Sequence, residues 1–149
     1  MGNKCFISNY YDFSCSRMCS LIYVFNKKKI EIIRLGLQNT DEITDPKTEG
    51  SEVVAGPYHP AFRQLVESGL WYDTIVSKIK QLNVKVKKVQ VIVNPQDVNN
   101  VVGHKRENIE KLKEMYTLDL IVKQDKNIKQ GKLELEIIEK YPEFLEDYK

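Results

Sequence analysis

The apolar pattern predicts an α+β fold: a small three-stranded sheet with helices on one face, preceded by a long helix and a separate apolar strand. Three observations carry this. Phe62, Leu65, Val66, Tyr72, Ile75, Ile79 and Leu82 recur mostly at helical spacings, forming one apolar stripe between Ala61 and Leu82. Val84–Val93 (V-K-V-K-K-V-Q-V-I-V) alternates apolar and polar residues, as a half-buried strand does. Helical and strand segments then follow in an order that suits helices covering one face of a sheet.

Each element has its own signal. Met1–Lys29 is rich in Asn, Ser, Tyr and Cys, and its apolar run Leu21–Phe25 reads as a short helix or strand that needs a partner. Ile30–Gly36 (I-E-I-I-R-L-G) is β-branched and apolar enough for a largely buried strand of a parallel sheet. Asn39–Gly50 is a polar, acidic loop. Pro60 suits the first turn of the long helix, and Gly69 is a mild interruption within it. Asn94-Pro95 closes the alternating strand. Asp97–Val102 forms a short helix, Gly103–Arg106 a turn, and Glu107–Tyr116 a helix with Ile109, Leu112 and Tyr116 on one face. Leu118–Val122 and Lys132–Ile138 read as a final hairpin of two strands. The tail from Glu139 is acidic and aromatic, either a packing helix or a frayed end.

A chain of 149 residues is one domain of ordinary size, with room for an appended segment. Its formal net charge of +2 does not point to nucleic acid by itself. The distribution is uneven, however. Basic residues gather at Lys27–Lys29, Lys78–Lys88, Lys105–Lys113 and Lys123–Lys132, and acidic ones at Asp41–Glu52 and Glu134–Asp147. Such a spread gives either a basic face or ordinary solvated helices and loops. Cys5, Cys15 and Cys19 are odd in number and confined to the N-terminal segment, which argues against a disulfide framework and for a reducing compartment. No stretch approaches the ~20 apolar residues of a membrane span, and polar residues interrupt every apolar run of the N-terminus. The expectation is a cytoplasmic protein without a membrane partner.

Catalytic signals are absent from the pattern. Glu67, Asp73, Asp97, Glu107 and Asp119 are scattered and form no carboxylate dyad, and there is no P-loop or Ser/His/Asp order. His59, between prolines in Gly56-Pro57-Tyr58-His59-Pro60, reads as a residue that hydrogen-bonds to backbone and fixes a turn; the alternative is a general acid or base. Trp71 and Tyr72 read as core or interface residues. Cys15-Ser-Arg-Met-Cys19 has the C-x-x-x-C spacing that opens a radical-SAM cluster motif, but Ile22 stands where C-x-x-x-C-x-x-C needs its third thiolate. No metal is assigned.

The informative stretch is Val91–Lys113. A strand, a short helix, a tight turn opened by Gly103 and a second helix together resemble a KH module, with a core at about residues 84–138. There a G-x-x-G loop between two helices clamps the backbone of about four single-stranded nucleotides. Glycine lets phosphate approach closely, and the following helix N-terminus presents N–H groups and positive dipole. In Gly103-His104-Lys105-Arg106 the last glycine is replaced by Arg106. The resemblance implies phosphate contacts from Gly103, His104, Lys105, Arg106 and Lys111; otherwise the loop is only a turn.

A second resemblance spans about Ile30 to Ile138. I-R-L-G-L-Q within Ile30–Gln38, Asn39–Ile43 and G-P-Y-H-P-A-F-R-Q-L-V-E-S (Gly56–Ser68) resemble the region just after the barrel in bacterial radical-SAM proteins related to the catalytic subunit of Elongator. It implies that residues 30–55 are a remnant barrel strand and linker, and that 56–149 are the C-terminal extension, with Gly56, Pro57, His59 and Pro60 its opening motif. Residues 1–29 do not match. In that family a barrel binding a [4Fe–4S] cluster and S-adenosylmethionine does the chemistry, and Elongator-type members modify wobble uridines of tRNA. The barrel and its cluster motif are missing from this sequence, which implies a truncated or split reading frame and no cofactor in this chain. Two functions follow. One is a non-catalytic accessory domain that contacts tRNA or other RNA. The alternative is one part of a split tRNA-modifying enzyme, completed by a chain that carries the barrel. A fragment with no function of its own is the third outcome.

Overall fold

The computed structural model describes residues 17–36, 43, 49–52, 59, 61–82 and 84–142. They fall into two compact units divided between Leu70 and Trp71.

In the first unit, residues 17–27 form a helix, α1, which takes in the apolar run Leu21–Phe25. Its Cys19 and Ile22 are buried with Val66, and Met18, Ile32, Leu35, Phe62 and Leu70 pack around them. Gly69 has a reason beyond permissiveness: a Cβ there would lie 3.3 Å from Cys19 Sγ, so the absent side chain lets the two helices approach. The strand expected at Ile30–Gly36 does not form. Residues 30–35 carry no ladder and Gly36 is a bend. A strand needs partners for its N–H and C=O groups, and no described residue forms a ladder with this segment, whose Ile30 amide donates instead to the Phe25 carbonyl at 2.9 Å. Ile33 is left 90% exposed.

The long helix α2 spans Phe62–Gln81, close to the predicted Ala61–Leu82. Its last turn carries Lys78 and Lys80, which suit the negative end of the helix dipole.

The second unit is a three-stranded mixed sheet with order β2-β1-β3: β1 (Val86–Val93), β2 (Asp119–Gln124) and β3 (Leu133–Lys140). The helices α3 (Val98–Val102) and α4 (Glu107–Tyr116) lie between β1 and β2 in the chain. They supply the crossover that a parallel neighbour requires, and β2 runs parallel to β1, with Val89 opposite Leu120 and Val91 opposite Val122. Val89, Val91 and Val93 are fully buried on one face. They share one cluster with Ile75 and Val76 of α2, Val101 of α3 and Leu112 of α4, with Trp71, Tyr72, Ile79 and Tyr116 packed around it. The opposite face is mixed: it carries Ile92, Ile121 and Ile138 beside Gln90, whose Nε2 donates to Glu136 Oε2 at 2.8 Å.

The final hairpin is not formed. β3 pairs antiparallel with β1, on the far side from β2, with Val91 opposite Leu135 and Val93 opposite Leu133. The reason lies in β1 and the loop. The most apolar strand gains most from neighbours on both edges. Asp125–Lys132, eight residues, is long for a hairpin turn but sufficient to step across one strand, since neighbouring strands lie about 4.8 Å apart. The start of the acidic tail, Glu139 and Lys140, belongs to β3; residues 143–149 lie outside the described residues.

Among the described residues no helix is long and apolar enough to cross a membrane.

Candidate nucleic-acid interface

The turn between α3 and α4 is built from unusual backbone. Gly103 has φ 81° and ψ 166°, a region that only glycine occupies freely. Lys105 (φ 49°, ψ 32°) and Arg106 (φ 67°, ψ 20°) follow in left-handed conformations. Two consecutive non-glycine residues there cost about 1–2 kcal/mol each. Position 106, where a G-x-x-G pattern has its second glycine, therefore keeps glycine-like backbone while carrying a guanidinium. This folding of the loop turns His104, Lys105 and Arg106 to solvent, and all three are exposed.

The loop is braced from below by Asn108, a residue with no site signal in the sequence. Asn108 is 5% exposed, and its Nδ2 donates to the carbonyls of Asn100 and Val101 at 3.3 and 3.1 Å. One amide thus takes up end carbonyls of α3 from the first turn of α4 and fixes the gap that the loop must span. An asparagine inside a predicted helix is a weak helix former, and that was the available signal. No side chain caps the N-terminus of α4.

Electrostatics around the loop are mixed. Glu107 and Glu110 sit in the first turn of α4, where the helix dipole favours them. Lys111, the remaining predicted contact, is one turn along and ion-pairs with Glu107 at 2.8 Å, so its charge is already partly answered.

Asp97, unlike an ordinary surface carboxylate, is buried. Its Oδ2 accepts the Gly131 amide at 2.8 Å, which ties the β2–β3 loop to the β1–α3 turn. Asn94 Nδ2 donates to the Ile128 carbonyl at 2.8 Å, and the Asp125 amide to the Val93 carbonyl at 2.9 Å. The loop that crosses β1 is therefore fixed at three points.

His59 holds the start of α2. Its Nδ1 accepts the Ala61 amide at 3.1 Å and its carbonyl accepts the Phe62 amide at 3.0 Å, the turn-fixing role expected for it. Gly56, Pro57 and Pro60 lie outside the described residues, as do Cys5 and Cys15. The described part of the C-x-x-x-C stretch does not fit an iron–sulfur cluster. Ile22 is buried in the apolar cluster of the first unit, and the Cys19 thiol points at the Val66 carbonyl, 3.5 Å away. At the far end of α4 from the Gly103 loop, a cleft of about 740 Å³ is lined by Ile79, Met115, Tyr116, Tyr141 and others, with no histidine or carboxylate among them.

Comparison with protein-family profiles, characterised proteins and solved structures finds no match to this chain.

Proposed function

We propose that this chain is a non-catalytic, RNA-contacting domain that meets phosphate through the Gly103–Arg106 loop in the cytoplasm. The observation that carries the reading is the backbone of that loop. A Gly-only conformation at Gly103 and two left-handed cations, Lys105 and Arg106, stand exposed between two helices that cross from β1 to a parallel β2. Strain of this kind persists where the surrounding structure enforces it, and such sites are commonly ligand clamps. Here the enforcement comes from Asn108. Lys and Arg at the tip suit a phosphate backbone, a contact of charge rather than of base sequence. By its resemblance to the C-terminal extension of Elongator-like radical-SAM proteins, the RNA proposed is tRNA.

The test is binding of the full chain to a labelled tRNA pool across a salt series, beside a Lys105→Ala/Arg106→Ala variant. Salt-dependent binding that the variant weakens supports the reading. Absence of binding at low salt contradicts it.

A second reading is favoured by the segment at residues 30–35. Ile33 and Ile30 are exposed on a stretch with β-type sequence and no ladder. In that reading a barrel strand finds its neighbours in another chain, and the two together form a tRNA-modifying enzyme. Co-purification with a barrel-bearing chain that Ile33→Lys abolishes is its test.

A further inference from the structure

The cleft at the far end of α4 from the Gly103 loop takes no part in the RNA reading. Its lining combines two kinds of surface. Ile79, Val84 and Leu118 are apolar, and Tyr116 and Tyr141 add aromatic rings. Lys80 and Lys85, both exposed, supply the only charges in the lining. Neither ion-pairs with a carboxylate among the described residues. Met115, on the same lining, is left 69% exposed. Apolar surface beside two unanswered cations calls for an occupant that brings both apolar bulk and negative charge.

Tyr141 ties the chain to this place. Its amide donates to the Lys85 carbonyl at 3.1 Å, and its hydroxyl donates to the Thr117 carbonyl, also at 3.1 Å. The chain beyond Pro142 therefore starts at the cleft. Residues 143–149, which lie outside the described residues, read E-F-L-E-D-Y-K. This sequence sets Phe144, Leu145 and Tyr148 among three carboxylates, Glu143, Glu146 and Asp147, with one lysine. Phe144 is three residues beyond Tyr141, at most about 10 Å of extended chain. A tether that short gives an effective concentration on the order of millimolar, so even a weak contact is populated.

We propose that this cleft is a docking site for an aromatic side chain flanked by carboxylates, and that the chain's own segment 143–149 is its occupant. Phe144 supplies the apolar bulk against Ile79, Val84 and Leu118, and Glu143 and Glu146 answer Lys80 and Lys85. The proposal is independent of the RNA reading, because the cleft and the Gly103 loop lie at opposite ends of α4.

The experiment is methyl-resolved NMR on the full chain. Nuclear Overhauser contacts are expected between the Phe144 ring and the methyl groups of Ile79, Val84 and Leu118. Phe144→Ala/Leu145→Ala should remove them and shift the same methyl resonances. Lys80→Glu/Lys85→Glu should weaken the contacts, and adding Glu143→Lys/Glu146→Lys to that variant should restore them, because the charges are then exchanged. Both lysines are exposed, so the fold tolerates these changes. If the unaltered chain shows no contact between Phe144 and the cleft methyl groups, the proposal is overturned. Contacts that appear only between differently labelled molecules, and grow with protein concentration, would assign the cleft to a second copy and overturn it equally.

Discussion

The Asp97 carboxylate and the Gly131 amide meet at 2.8 Å, joining the turn after β1 to the loop that crosses over it. Asp97 is buried, and a hydrogen bond to a charged, buried acceptor is worth about 1.5–3 kcal/mol. Asp97→Ala is expected to lower stability by that amount in urea denaturation and to increase hydrogen exchange at Gly131. An unchanged Gly131 exchange rate would show that the loop is held by other means.

Opposite changes at the two ends of the Gly103 loop should have opposite signs. Gly103→Ala forces a Cβ into a conformation that glycine alone occupies freely, and should cost about 1–3 kcal/mol. Arg106→Gly relieves a left-handed residue and should stabilise by about 1 kcal/mol while weakening RNA binding through the lost charge. Denaturation curves for both variants test the strain, and a destabilised Arg106→Gly would count against it.

Glu107 sits between the loop cations and Lys111. Both partners of that ion pair are about half exposed, so Glu107→Gln should change stability by no more than about 1 kcal/mol. It should tighten RNA binding at low salt, because it removes a repelling charge beside the loop cations. Weaker binding by this variant would mean that Glu107 positions the loop rather than opposing the ligand.

Burial holds the Tyr72 hydroxyl above the usual tyrosine range, and nearby Tyr116 adds to the rise. Its O–H donates to Met115 Sδ at 3.5 Å. A raised folded-state pKa favours the protonated form in the folded protein. The stability it contributes is therefore fully present below the unfolded value of about 10 and is lost as pH rises through the folded value. Tyr72→Phe should flatten the alkaline loss of stability in thermal melts taken upward from pH about 9. An identical alkaline profile for the variant would remove Tyr72 from the account.

In the first unit, Leu21 (47%), Ile30 (49%) and Ile33 (90%) leave apolar surface exposed. Apolar surface of this kind favours association with another chain or another copy. Sedimentation at rising concentration is expected to show self-association that Ile33→Lys reduces. A monomer at all concentrations would contradict this.

Much of the second unit could be read from the sequence, because its elements are long and strongly periodic. Glu107–Tyr116 is found with the predicted bounds, and β1 differs by two residues at its start. Sheet order was less accessible. The sequence marks a strand at Lys132–Ile138, found at Leu133–Lys140, but not which edge of β1 it takes, and only the eight-residue loop hinted against a hairpin. At Ile30–Gly36 the composition of a buried strand misled, because strand formation depends on partners as well as propensity. In the candidate interface, the exposed loop cations were legible, whereas Asn108 and Asp97 were not. Their importance comes from where their side chains end, on the α3 carbonyls and on Gly131, and no spacing rule encodes contacts of that kind.

Contact between Gly103–Arg106 and RNA phosphate can be seen residue by residue in an amide-resolved NMR titration of the full chain with a tRNA pool. The amides of Gly103 to Asn108 should shift first and most, added salt should reverse the shifts, and Lys105→Ala/Arg106→Ala should suppress them. Binding whose shifts lie elsewhere and spare these amides would contradict it.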